Sequence, residues 1–396
     1  MTGNPGGGRR TRLVQMGRAP TPAYGFVNPP LHRGSTVIYP SVAEREARRS
    51  RPLDQALIYG AQGGPTHHQL ENAIAEIEGG TRCQIVSTGL AAVTTALLAY
   101  LKAGDHCLVP DSVYGPCRRF CDTIGQDIGI ETTYYRPDLD EAGLRALLRP
   151  NTKVVYAESP GSHTMEVQDV PMLARVAHQH GASLLLDNTW GVTFFMPFEH
   201  GVDCSIQAAT KYIGGHSDIL LGAIVTNSDS DWKRVRNTSL ILGQYTSPDD
   251  CWLALRGLRT LGVRLEIQMK AGIRVAEWLR ERPEVANVRH PALPGAPGHD
   301  LWKRDFSGAC SLFTVELSRR ISVRSMRAMI DALELFQIGA SWGGYESLVL
   351  PTTGAITRAH RDTETDPPMF RLHIGLEDVD ELIADLDRAF GKLGPA

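Results

Sequence analysis

Two short runs, "TKVVYAES" (Thr152–Ser159) and "ASLLLDNT" (Ala182–Thr189), decide the architecture. Both are near-continuous apolar stretches that end in polar residues. A strand with one wet face alternates apolar and polar side chains, whereas a strand covered on both faces need not. These two runs therefore belong inside a sheet with helices on either side.

The surrounding sequence carries the same rhythm from about residue 70 to 226. "RCQIVST", "HCLVPD", "VDCSIQAATKY" and "LLGAIVTN" supply further strands. "HQLENAIAEIEGG" places Leu70, Ala73, Ile74 and Ile77 at helical spacing and stops on Gly79-Gly80. Thr66 with Gln69 fits a capping box at its start, and "GLAAVTTALLAYLKAG" predicts a helix ending at Gly104. Strand, helix, strand in this order predicts a mostly parallel α/β sheet. After about residue 229 the texture changes. A long helical tract, interrupted at "TSPDD", runs to "EWLRERP" and a Pro/Gly-rich connector, "HPALPGAPGHD". "CSLFTVEL", "SMRAMIDALELF", "MFRLHIGL" and "VDELIADLDRAF" then read as strand, helix, strand and helix. That is a smaller α+β layer.

The 396 residues are too many for one simple core. A formal net charge of −3 gives no positive field for nucleic acid or a membrane surface. No run approaches the ~20 apolar residues that span a bilayer. The seven cysteines are scattered, and Cys117 and Cys121 form neither a redox pair nor half of a metal site, so reduced thiols and no metal are expected. The first twenty-odd residues lack the apolar core of a signal peptide and read as a flexible arm. A soluble, cytoplasmic protein is expected.

Chemistry gathers at strand ends. Lys211, in "QAATKYIGGHSD", follows a buried-looking strand. It is either a solvated loop lysine or a desolvated amine able to form a Schiff base with a carbonyl. Asp187 ends "SLLLD", where a carboxylate is costly unless satisfied locally or paired with a protonated ring nitrogen such as that of pyridoxal phosphate (PLP). In "VSTGLAAV" the N–H groups of Gly89 and Leu90 open a helix N-terminus favourable to a phosphate. Tyr114 could stack on a cofactor or simply be packed. Arg371 is either a snorkelling strand arginine or a clamp on a carboxylate, with Ser341 and Trp342 in "GASWGGYESL" completing the pocket.

Taken in order, "STGLAA", "VYGP", "LLLDNTW", "SIQAATKYIGGHSD", "SWGGYESL" and "RLHIGLEDVDELIADLD" resemble the Cys/Met-metabolism family of PLP enzymes. Within it, "SPGSHTMEVQDVP", "RGLRTLGVRL" and "GHDLWKRDF" are most similar to the bacterial cystathionine β-lyases. The resemblance runs from about Val27 to Phe390. It implies PLP fold type I, aspartate-aminotransferase-like. An arm and intersubunit segment would occupy residues 1–62, a PLP-binding α/β domain 63–255, and a C-terminal α+β domain 256–396. It implies Lys211 as the Schiff-base lysine, Asp187 as partner of the ring nitrogen, and Tyr114 over the ring and in proton transfer. Gly89, Leu90 and Thr210 would hold the phosphate, while Arg371, Ser341 and Trp342 would bind the substrate. Tyr59 would enter the neighbouring subunit's site in a homo-oligomer, a dimer at least and usually a tetramer.

The implied reaction is β-elimination on cystathionine or a related thioether amino acid, a transsulfuration-type lyase chemistry giving thiol, pyruvate and ammonia. Alternatives are γ-elimination or γ-replacement on a bulky methionine- or homoserine-derived substrate, and a non-catalytic partner subunit. Two positions depart from the pattern: Ala61 stands where the lyases place an arginine, and Ala340 where they tend to carry a tyrosine.

Overall fold

Strands β1 (Arg82–Val86), β2 (His106–Pro110), β3 (Glu131–Tyr135), β4 (Thr152–Glu158), β5 (Ser183–Asp187), β6 (Cys204–Gln207) and β7 (Gly222–Thr226) form one sheet, in the order β1-β7-β6-β5-β4-β2-β3. The computed structural model describes residues 8–18, 25–51, 53–358 and 366–393. The two opening runs are β4 and β5. They pair in parallel, and their register sets Glu158 opposite Asp187. Only β7 runs against its neighbours, β6 and β1. Leu184, Leu185 and Leu186 are all fully buried, as a strand covered on both faces requires. The fold is thus the mixed, mostly parallel α/β sheet expected.

A second sheet comprises β8 (Val285–Arg289), β9 (Leu312–Leu317), β10 (Gln337–Ile338), β11 (Leu348–Pro351) and β12 (Met369–His373), ordered β10-β11-β12-β9-β8. The helix Pro248–Arg280 joins the two layers. Its Leu255, Leu258, Leu261 and Leu265 enter the core of the first, and Val275, Ala276 and Leu279 that of the second. The position 255/256 lies inside this helix.

Three local expectations are corrected. The helix at Leu70 starts on Pro65 with Gly64 as its cap, because proline's fixed φ suits the first helical position. His67 Nδ1 accepts from Gly64 N (3.2 Å). Thr66 is buried and instead accepts from His32 N (2.9 Å), tying down the N-terminal segment. The helix Gly89–Tyr100 stops before Gly104, because Leu101 is already extended; Gly104 takes φ 86° in the following turn. The expected arm contains a helix, Arg9–Gln15. Its Leu13 is buried, and Arg259 Nη1 donates to Val14 O (2.9 Å) and Met16 O (2.6 Å). Residues 1–7 and 19–24 of that arm lie outside the described residues.

All seven cysteines are buried and unbridged. Among the described residues no helix is long and apolar enough to cross a membrane.

Candidate active site

The C-terminal ends of β4, β5 and β6 open into a cleft of about 400 Å³, the usual ligand position on a parallel sheet. Lys211 reaches it just after β6, delivered by the buried Ala209. Its Nζ donates to Ser341 Oγ (2.9 Å) and lies 5.4 Å from the centre of the Trp342 ring. Burial lowers its pKa to about 8, the nearby Arg371 charge adds to this, and Asp187 opposes it. Lowering the pKa toward neutrality raises the fraction of Lys211 present as the nucleophilic free amine to about a tenth at pH 7.

Asp187 accepts from Thr189 N (3.0 Å) and Thr189 Oγ1 (2.6 Å), both through Oδ1. Burial raises its pKa against these two bonds. Thr189 Oγ1 in turn accepts from Ala208 N (2.9 Å), which ties the ends of β5 and β6 together. Beneath them, buried Glu78 accepts from Asn188 Nδ2 (3.0 Å), Ser205 Oγ (2.5 Å) and Gln207 Nε2 (2.8 Å). Glu158, across from Asp187, accepts from Tyr114 N (2.7 Å) and so positions that tyrosine at the mouth. Burial and the Asp187 charge raise the Glu158 pKa.

Arg371 sits on β12, its Nη2 donating to Ala340 O (3.0 Å) and Ser341 O (3.3 Å). Burial lowers its pKa to about 10, so it stays a cation. Also lining the cleft, Thr88 caps the helix Gly89–Tyr100, its Oγ1 accepting from Ala91 N (3.0 Å). Gly89 and Leu90 are the first helical residues and have no carbonyl one turn back, so their N–H groups are free for an anion. A Cβ on Gly89 would fall 2.6 Å from Ala208 Cβ, so only glycine allows this approach.

Lys211, Asp187, Tyr114, Gly89, Leu90, Thr210, Trp342 and Arg371 thus line one cleft, and Ser341 touches it through Lys211. The Thr210 hydroxyl already accepts from Leu221 N (2.9 Å) and donates to Leu221 O (3.2 Å), so donation to a phosphate requires it to turn. Tyr59 lies away from the cleft, 51% exposed and bridged to Thr36. Sequence reasoning missed Glu158, Thr189 and His163, all of which line the cleft. Glu158 ends an apolar strand just as Asp187 does, and the same argument applied there finds it.

These residues fit PLP. A buried carboxylate without a cationic hydrogen-bond partner among the described residues suits a protonated ring nitrogen. The glycine-gated helix end suits a phosphate, and the depressed lysine suits an aldehyde. The fold and cleft define a PLP enzyme of fold type I. The chain belongs to the Cys/Met metabolism PLP-dependent enzyme family, whose model matches residues 10–391. It is 42% identical to cystathionine beta-lyase MetC of Escherichia coli over 97% of this chain and 98% of that protein. It is 43% identical to cystathionine beta-lyase of Bordetella avium, over 96% and 97% respectively. The crystal structure of metB from Corynebacterium glutamicum superposes with a TM-score of 0.90 at 28% identity, covering 98% of this chain and 99% of that one.

Proposed function

We propose that this enzyme is a carbon–sulfur lyase that performs β-elimination on cystathionine or a related thioether amino acid. The observation that carries the reading is the Lys211 amine, depressed to about 8 and held 2.9 Å from Ser341 between the Asp187 and Arg371 charges. Bound PLP supplies an electron sink for the substrate's Cα electrons.

The chain's own residues do the rest. Gly89 and Leu90 N–H groups, with Thr210, hold the phosphate, and the Asp187 carboxylate keeps the ring nitrogen protonated. Arg371 and Ser341 seat the α-carboxylate. This fixes the Cα–H bond toward Lys211, whose neutral amine takes the proton. The Cβ–S bond breaks, and the Lys211 ammonium or the Tyr114 hydroxyl returns a proton to the departing thiolate. Water then completes the balance, giving thiol, pyruvate and ammonia. Trp342 walls the Lys211 side of the cleft.

The enzyme works as a cytoplasmic homo-oligomer in which Tyr59 serves the neighbouring subunit's cleft. Its exposure outside its own cleft supports this role. Product identification tests the reading. Pyruvate from L-cystathionine is expected, whereas 2-oxobutanoate would assign γ-elimination and overturn it.

A further inference from the structure

A thioether amino acid brings a shared half and a variable half to this cleft. The amino-acid half is the same in every case, so the substituent beyond sulfur decides which thioether is preferred. Among the described residues lining the cleft, Lys211 and Arg371 are the only basic side chains that carry a charge near neutrality. Burial lowers the His163 pKa to about 4, which leaves that ring neutral. Both cations already have tasks: Lys211 is the proton-accepting amine and Arg371 seats the α-carboxylate. The carboxylates are engaged as well. Asp187 accepts twice from Thr189, and Glu158 accepts from Tyr114 N (2.7 Å). The segment 59–62, assigned above to the neighbouring subunit's cleft, reads Tyr-Gly-Ala-Gln and brings no charge.

The accessible wall of the cleft is apolar instead. Leu220 is 63% exposed, Tyr114 41% and Leu90 38%, and all three line the cleft. Ala340 adds an exposed methyl, while its carbonyl accepts from Arg371 Nη2 (3.0 Å). Leu220 is built into the site's own scaffold. The next residue, Leu221, donates its N–H to Thr210 Oγ1 (2.9 Å) and accepts from Thr210 N (3.0 Å), one residue before Lys211.

The two kinds of substituent fare differently against such a wall. Each methylene that it covers fully raises affinity by a factor of about four. A charge brought into the cleft without a partner lowers affinity by roughly ten-fold or more.

We infer that this cleft prefers L-cysteine thioethers whose S-substituent is an uncharged alkyl chain, with L-cystathionine as a slower substrate. The inference rests on the C–S lyase reading and narrows it. The reaction keeps the same balance: one water is consumed, the Cβ–S bond breaks, and an alkanethiol leaves together with pyruvate and ammonia.

The test measures kcat/KM for pyruvate release by the PLP-loaded enzyme on four thioethers with a four-atom arm. L-cystathionine carries a distal ammonium and carboxylate, S-(3-carboxypropyl)-L-cysteine only the carboxylate, S-(3-aminopropyl)-L-cysteine only the ammonium, and S-butyl-L-cysteine neither. All four release an alkanethiol, so the leaving-group chemistry is held nearly constant. S-butyl-L-cysteine should exceed each of the other three by roughly ten-fold or more. Two variants read the wall directly. Leu220→Ala should lower S-butyl-L-cysteine more than S-methyl-L-cysteine, which has no arm to cover. Leu220→Arg should raise the ratio of the carboxypropyl to the butyl substrate by roughly three-fold or more.

A kcat/KM on L-cystathionine equal to or above that on S-butyl-L-cysteine overturns the inference and leaves the lyase reading intact. So does equal use of either singly charged substrate, which shows that a counter-charge reaches the arm. Equal losses on the butyl and methyl substrates in Leu220→Ala remove Leu220 from the arm's path and overturn the apolar wall. Absence of pyruvate from every thioether overturns the lyase reading instead. The affinities of the same four compounds, titrated through the visible band of the bound cofactor, then rank the arms and still decide the inference.

Discussion

Lys211 Nζ and Ser341 Oγ, 130 residues apart, meet at 2.9 Å and join the loop after β6 to the turn between β10 and β11. The turn is pinned from below: Gly343 N donates to His373 Nε2 (3.1 Å), and a Cβ on Gly343 would lie 2.8 Å from Tyr212 N. The Lys211 amine is thus oriented by the second layer while it is delivered by the first. Ser341→Ala should leave the fold intact, since the hydroxyl is needed only at the cleft. Loss of one hydrogen bond at a charged partner predicts a fall of ~10-fold or more in kcat/KM. Steady-state kinetics alongside a thermal melt would check this, and an unchanged kcat/KM would remove Ser341 from the site.

The depressed Lys211 amine predicts how the cofactor is taken up. Only the neutral amine attacks an aldehyde, so the rate at which the apoenzyme captures PLP should rise with pH through about 8 and then level off. Arg371 lowers the pKa and Asp187 raises it. Arg371→Leu should therefore move the midpoint up, and Asp187→Asn should move it down. Stopped-flow absorbance on the three apoenzymes measures the midpoints, and shifts of the opposite sign would refute the charge assignment.

Gly89→Ala tests the anion cradle by crowding alone. Alanine is the better helix former, so the local helix gains, yet its methyl would meet Ala208 Cβ at 2.6 Å and push the helix end away from the cleft. PLP affinity should drop ~10-fold or more, as for a lost charge-assisted contact. Ala208→Gly in the same chain should restore much of it. A single variant that holds PLP as tightly as wild type would place the phosphate elsewhere.

Much of this arrangement was legible in the residues. Unbroken apolar runs ending in a carboxylate marked β5 and singled out Asp187, and a lysine after a buried strand singled out Lys211, while the roles of both came from the family resemblance. The missing parts are non-local. Nothing near Glu158 in the chain says that parallel register sets it against Asp187 and beneath Tyr114 N. The docking of the Arg9–Gln15 helix depends on Arg259, 245 residues away from Val14. Thr66 looked like a cap because its spacing fits one, but Pro65 moves the helix start and frees the hydroxyl for His32.

Ala61 lies in the Gly60–Gln62 turn, fixed by Gly60 N to Ser35 O (2.7 Å) and Arg236 Nη2 to Gln62 O (2.6 Å). Arg236 is buried and also bonded to Gln84 Oε1 (2.6 Å), so it does not reach outward in place of an arginine at 61. Restoring the cation with Ala61→Arg should tighten PLP binding to the assembled enzyme by ~10- to 150-fold. Titration of PLP into both apoenzymes reads this directly. Equal affinities would show that another cation already holds the phosphate.

The buried Glu78 beneath β5 and β6 should make stability depend on pH in a defined window. Burial raises its pKa from 4.5 to about 7, against the three donors Ser205, Asn188 and Gln207. The folded state therefore holds the proton more tightly than the unfolded chain. The stabilisation from this linkage is full below about pH 4.5 and is lost progressively as pH rises to about 7. Glu78→Gln abolishes the titration, so the difference in Tm between wild type and variant should drift against wild type across that window and stay constant above it. Glu78→Ala is a harsher change. It strands the three buried donors Asn188, Ser205 and Gln207, with an expected loss of about 3 kcal/mol or more. Melts of the three proteins from pH 4.5 to 8 separate the two effects, and parallel curves for wild type and Glu78→Gln would show that Glu78 is ionised in both folded and unfolded chains.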